Sequence, residues 1–209
     1  GINQIDIKDI EYANKLGFKI KLLAFSERNN INSNGSLSLN TWVAPTLIPK
    51  SHPLATVEGV NNGILIEGFP LGEIMLCGPG AGSGPTAASV VSDILNLHAS
   101  LSKNLSSMDP LLSFDFWRDC HIKDFNKISK KNYLRIICLD TPGVIGKIGD
   151  LFGKNDVSIE SLVQLDAKDN KAEIVVITHE VLNGKFEKSK EEINALSEVE
   201  LIASQLSCI

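Results

Sequence analysis

Two stretches of this chain carry residues whose types and spacing could hold a ligand, and both are turns that lead into a helix. In the first, Gly78, Gly80, Gly82 and Gly84 alternate with Pro79, Ala81 and Ser83, between the apolar run Glu73–Cys77 and the amphipathic run Thr86–Leu97. A strand, a glycine loop and a helix start together aim free backbone N–H groups at one point, which suits an anion or a closely approaching cofactor. The spacing departs from both common phosphate loops. Read as GxGxxG from Gly78, the third glycine position holds Ser83; read from Gly80, it holds Pro85. No acidic residue closes a second strand about twenty residues on, and no Lys-Ser/Thr pair makes a P-loop. On spacing alone, a tight strand-to-helix turn is the simpler account.

The second stretch is Asp140-Thr141-Pro142-Gly143-Val144-Ile145. Pro142 and Gly143 let the backbone leave a strand sharply. The first N–H groups of the following helix then face outward with partial positive charge, which suits the carboxylate of a free amino acid, with Asp140 offered to its ammonium. The plainer alternative is that Asp140 caps the helix and Pro-Gly only shapes the turn.

The remaining polar residues lack such company. His52, between Ser51 and Pro53, reads as a structural hydrogen-bonder, and His98, His121 and His179 have no triad or ligand partners nearby in sequence. Trp42 and Trp117 read as packing residues; Asp124, Lys127, Lys130 and Lys131 read as a solvated face. Cys77, Cys120, Cys138 and Cys208 show no CxxC spacing, which argues against a zinc site or a disulfide framework and for reduced thiols in a cytoplasmic setting. A net charge of −5 offers no basic stripe for nucleic acid. No apolar run is long enough for a bilayer span. With 43% hydrophobic and 22% charged residues, the 209-residue chain has the composition of a globular protein of one or two domains. It opens at Gly1, without a methionine and directly before a helix-start signal, so the sequence is expected to begin inside a longer protein.

The elements that must position these turns follow from periodicity. Asp6–Leu16 predicts a helix, capped by Asp6 and stopped by Gly17. Phe18–Glu27 and Leu37–Ala44 alternate as strands and are expected to pair as a hairpin across an Arg28–Gly35 loop. Pro45, Pro49 and Pro53 keep the next piece extended. Asn62–Gly68 and Gly72–Cys77 predict a second hairpin, so the first hundred residues are expected to form a mostly antiparallel sheet with flanking helices. Residues 101–131 read as a linker containing an apolar knot at Leu111, Leu112, Phe114, Phe116 and Trp117. From Tyr133 the order is regular: strand 134–139, helix 144–152, strand 157–165, strand 172–178, helix 185–196, strand 199–206. That β-α-β-β-α-β order is the ferredoxin-like split unit.

Residues 140–145 resemble the opening signature of ACT domains, small βαββαβ modules that bind amino acids, usually by pairing with a second copy. VSIESLVQ (157–164) and IVVITHEV (174–181) resemble the ACT domain appended to bacterial homoserine dehydrogenases. In the first half, DIEYANKLGFKIKLLAFSER, VAPTLIPKSHPLATVEGVNNGILIEG and GPGAGSGPTAASVVSDIL resemble, in this order, the back part of the substrate domain of that family. The resemblance implies an α+β chain in three parts: 1–100, the end of the homoserine dehydrogenase substrate/dimerisation domain; 101–131, a linker; 132–209, an ACT regulatory domain. It also implies an enzyme that interconverts aspartate semialdehyde and homoserine with NADP or NAD, on the route to threonine and methionine.

The family's nucleotide domain and hydride-transfer groups lie ahead of the matched region. No catalytic residue therefore maps onto this chain, Lys19 and Lys21 included, and no cofactor is expected to bind it stably alone. What carries over is narrower. Gly82, with Gly80 in the same loop, matches the glycines beside the nicotinamide nucleotide. Asp140, Pro142, Gly143, Val144 and Ile145 match the effector turn, with threonine as the first candidate. A homodimer or higher homo-oligomer is expected, with no nucleic acid, membrane or metal partner. The alternative from another class is a free-standing amino-acid-binding regulator acting in trans.

Overall fold

The structure, a computed structural model, describes residues 5–29, 37–102, 120–168 and 170–209. In chain order the elements are α1 (Ile7–Lys15), β1 (Phe18–Asn29), β2 (Leu37–Pro49), β3 (Asn61–Gly68), β4 (Gly72–Pro79), α2 (Ser83–Ser102), β5 (Cys120–Ile122), β6 (Ser129–Leu139), α3 (Val144–Lys154), β7 (Ile159–Lys168), β8 (Lys171–Thr178), β9 (Val181–Leu182), α4 (Asn183–Asn194) and β10 (Val199–Cys208). The chain divides into two compact units, 1–50 with 120–209, and 51–119.

In the first unit, an eight-stranded sheet runs β1-β2-β10-β6-β8-β7, with β5 against β2 and β9 against β6. The expected split unit is β6-α3-β7-β8-α4-β10, and its sheet order β10-β6-β8-β7 is ferredoxin-like. Alternation along β6 sends Leu134, Ile136 and Cys138 into one core with Val144, Ile148 and Phe152 of α3 and Phe186 and Ile193 of α4. Tyr133 on the opposite face joins Tyr12 and Ala13 of α1, Leu47, Val175, Ile177, Leu206 and Cys208 in a second core. With both faces covered, residues 172–178 of β8 are buried without a break, which explains the continuous apolar run there.

Helix α1 starts and stops as its residues dictate. Asp6 and Asp9 form a capping box, and Gly17 turns the chain at φ +85°. β1 and β2 pair antiparallel from Phe18↔Pro49 to Asn29↔Ser38. Most of the expected 28–35 loop lies outside the described residues; Arg28 and Asn29 are still in β1. β2 then meets β10 in parallel at only two pairs, Thr46↔Ser207 and Leu47↔Cys208.

The second unit, over its described part, holds a 3-10 turn at Pro53–Thr56, the β3–β4 hairpin and α2. His52 Nδ1 accepts from the Leu54 N–H at 3.2 Å, so this histidine is a structural hydrogen-bonder. Ile64 and Leu76 of the hairpin and Val90, Ile94 and Leu97 of α2 are all exposed.

The structure departs from the sequence expectations in the first hundred residues and again in residues 120–131. The strands of the first hundred residues do not share one sheet: β1 and β2 extend the ACT-like sheet, and among the described residues β3 and β4 pair only with each other. Residues 120–131, expected in a linker, include β5, a 3-10 turn at Phe125–Lys127 and the start of β6, because β2 and β10 offer edges for them. Within that stretch Lys130 is half-buried, and Lys131 pairs with Glu160 at 2.6 Å, so neither simply faces solvent. The apolar knot at 111–117 and Asp169 of the expected 168–170 turn lie outside the described residues.

Candidate functional site

The turn after β6 is built by Gly143. Its φ of +92° is one an L side chain rarely adopts, and it serves as the N-cap of α3 with no side chain capping the helix. Asp140 is therefore not the cap. Its N–H donates to Asn170 O at 3.0 Å, and its exposed carboxylate accepts from Gln164 Nε2 at 3.3 Å. Asp140, Pro142, Gly143 and Ile145 all lie at the surface, with Ile145 41% exposed. Val144 is the exception among the expected effector residues. At 3% exposed, its side chain belongs to the α3 core, and only its backbone faces the turn. The turn thus sets a helix start that no side chain caps, its Val144 N–H turned to Thr141 O at 3.4 Å, and one carboxylate at one edge of the fold, complementary to the two charges of an amino acid. Gln164, which the sequence reading did not single out, joins this cluster from β7, an edge strand that among the described residues pairs only with β8.

The glycine loop is shaped by close approach and backbone angle. The Gly80 N–H donates to Val60 O at 2.9 Å, and a Cβ on Gly80 would lie 1.9 Å from Asn62 Nδ2. Gly82 has φ +120°, and a Cβ there would meet nothing nearer than Pro85 Cδ at 3.5 Å. α2 begins directly behind it, at Ser83, with the Thr86 N–H donating to Gly82 O at 3.1 Å. Gly80 is thus demanded by packing inside the loop. Gly82 leaves an open approach to the start of a 20-residue helix, a fit for a bound anion or cofactor edge.

The most heavily connected charges lie elsewhere, between α1 and the sheet. Asp9 is fully buried, and Arg135, 2% exposed in its side chain, donates to it from Nε at 2.7 Å and from Nη2 at 3.4 Å. Tyr133 Oη (3.1 Å) and Ser204 Oγ (2.6 Å) donate to the same Asp9 oxygen. Glu173 accepts from Arg135 Nη1 at 3.3 Å and from Tyr12 Oη at 2.9 Å, and it pairs with Lys8. Burial alone would raise the Glu173 carboxyl, but hydrogen bonds from Lys8 and Tyr12 outweigh it and hold it below the usual carboxylate range. Burial, and next to it the Asp9 charge, push the Tyr133 hydroxyl far up, so it stays a donor. The sequence signal for this network was a lone Arg in the apolar run NYLRIICL; Asp9 looked like an ordinary first-turn acid.

Among the described residues, no group of three or more His, Cys, Asp or Glu could hold a metal ion, and no helix is long and apolar enough to cross a membrane.

Comparison with known proteins follows the two halves. Residues 1–95 match the homoserine dehydrogenase family model, and residues 132–198 match the ACT domain. The chain is 46% identical over 206 residues to a homoserine dehydrogenase of Synechocystis sp., covering 98% of this chain and 47% of that protein. It is 35% identical over 210 residues to that of Bacillus subtilis, covering 98% and 46%. Among solved structures, a homoserine dehydrogenase from Thiobacillus denitrificans matches with a TM-score of 0.86 at 29% identity, over 100% of this chain and 46% of that one. The chain spans about half the length of the curated relatives it matches.

Proposed function

We propose that this chain, whose first part matches the homoserine dehydrogenase family and whose last part matches the ACT domain, is the cofactor-closing and amino-acid-sensing half of an NAD(P)-dependent enzyme that interconverts aspartate semialdehyde and homoserine. The observation that carries this is the match over 98% of the chain to less than half of the Synechocystis relative. Exposed apolar residues on β3, β4 and α2 agree with it, since such surfaces are usually covered by another part of a protein. NADP or NAD, bound to the complete enzyme, accepts or supplies the hydride. The residues of this chain would do other work: Gly82, with Gly80 holding the loop's shape, lets the backbone close on the nucleotide.

In the ACT part, the turn of Asp140, Pro142, Gly143 and Ile145, with the backbone of Val144, would take an amino acid, threonine first. Its carboxylate would sit on the α3 start and its ammonium near Asp140 and Gln164. The open edge of β7 suits pairing with a second copy, giving a homodimer or larger assembly. In this reading, residues 1–100 serve the substrate/dimerisation domain, 132–209 sense, and the stretch between them joins the two, its last residues 120–131 already entering the sheet.

The test is an activity comparison. A chain extended through the reading frame upstream of Gly1 is expected to oxidise NADPH or NADH with aspartate semialdehyde, while the 209-residue chain does not. A stop codon just upstream, or turnover by the short chain alone, overturns the assignment; the stop codon would point instead to a regulator acting in trans. Threonine should raise the melting temperature of the 209-residue chain, as a ligand selective for the folded state does.

A further inference from the structure

β2 and β10 touch at two residue pairs and then diverge, so a cleft of about 1090 Å³ opens between Val43–Pro45 on one side and Ile202–Ser207 on the other, with α4 along its rim. Lys130 reaches into this cleft. Its ammonium donates to Ser207 Oγ at 3.0 Å and lies 4.8 Å over the Phe125 ring. Among the described residues, no carboxylate lies within ion-pair distance of it. The nearest candidate is already engaged: Glu187 pairs with Lys190 and accepts from Gln205 Nε2 at 2.7 Å, while Lys190 also donates to Gln205 Oε1 at 2.8 Å. Lys130 is therefore a half-buried cation held by a neutral hydroxyl and a ring face, and burial lowers its affinity for the proton. Such a charge gains most from an anion supplied from outside. Glu191 lines the same cleft, exposed, and its carboxylate has no hydrogen-bond or ion-pair partner among the described residues.

We propose that the Lys130 end of this cleft binds a small amino acid, its carboxylate held by Lys130 Nζ and Ser207 Oγ and its ammonium turned toward Glu191. The site is separate from the α3 turn and rests on the charge arrangement of the cleft, not on the effector reading above. A carboxylate there gives Lys130 a direct ion-pair partner, where Glu187, engaged with Lys190 and Gln205, acts on it only through its charge. It also ties the Lys130 side chain of β6 to Ser207 of β10, the residue that pairs with Thr46 of β2.

The test is calorimetric titration of the full 209-residue chain with two probes, glycine and acetate. Both should bind saturably at this site, glycine more tightly. Lys130→Met should weaken both by roughly ten- to a hundred-fold, the worth of a charge-assisted contact. Glu191→Gln should bring glycine down to the affinity of acetate. Should Lys130→Met fail to give the wild-type circular dichroism, Ser207→Ala takes its place and must weaken acetate several-fold. Absence of saturable binding in the wild type, or equal binding by folded Lys130→Met, overturns the site. Glycine binding lost in Asp140→Ala but kept in Lys130→Met also overturns it while sustaining the effector turn.

Discussion

Replacing Asp9 by Ala should be among the most damaging single changes available in this chain. Asp9 has no exposed surface, and its two oxygens take bonds from Arg135, Tyr133, Ser204 and the Asp6 N–H. Removing it strips the nearest counter-charge from a guanidinium that is itself only 2% exposed. Breaking a buried pair in this way costs about 3–5 kcal/mol, because the surviving charge stays buried. Loss of the capping box adds up to about 1 kcal/mol. Glu173 at 3.3 Å and Asp6 at 3.5 Å remain to hold Arg135, which keeps the expected total near the lower end, about 3–4 kcal/mol. Urea unfolding followed by circular dichroism measures it as a drop in midpoint at unchanged slope. An Asp9→Leu/Arg135→Met double variant should recover part of the loss, since no charge is then left stranded. A single Asp9→Ala variant within about 1 kcal/mol of wild type, the size of an ordinary surface change, would refute the claim that this network fastens α1 to the sheet.

Acid should loosen the same network. The Glu173 carboxyl is held below its ordinary value, so its contribution to stability is full above the unfolded value near pH 4.3 and disappears as the pH falls through the folded value; Glu173→Gln should flatten the urea midpoint against pH in that window. Thiol labelling at mildly alkaline pH should modify the exposed Cys77 and Cys120 quickly and spare Cys138 and Cys208, because burial pushes the Cys208 thiol up to about 11 and raises Cys138 as well; fast labelling of Cys208 in folded protein would contradict that packing. Gly80→Ala should destabilise the glycine loop in thermal melts, and Asn62→Gly should rescue it, since the Asn62 side chain occupies the space of the new Cβ. In the complete enzyme, Gly82→Val should raise the KM for the nucleotide; an unchanged KM with intact folding would remove the cofactor-closing role.

Local chemistry was legible in the sequence wherever neighbours along the chain decide it. Asp6, Asp9 and Gly17 bounded α1, period-two runs located nearly every strand, and Gly143 and Gly82 marked backbone turns that only glycine accommodates readily. The βαββαβ order could be read off because each of its elements has its own period and its own length. What the sequence did not disclose is which edges and faces meet across long separations. β2 belongs beside β10, more than 150 residues on, for reasons of edge complementarity that no local pattern records. Val144 looked like part of a binding turn, but the helix rotation set by Gly143 turns its side chain into the core. Asp9 read as a first-turn acid, and it took α1 folding onto the second face of the sheet to make it the counter-charge of Arg135. Lys130 looked solvated, but it is half-buried and lines the cleft beside β2, β10 and α4. Periodicity and turn residues act over a few positions and are written in the chain; the value of a charge depends on how much water and which partners surround it, and only the tertiary fold decides that.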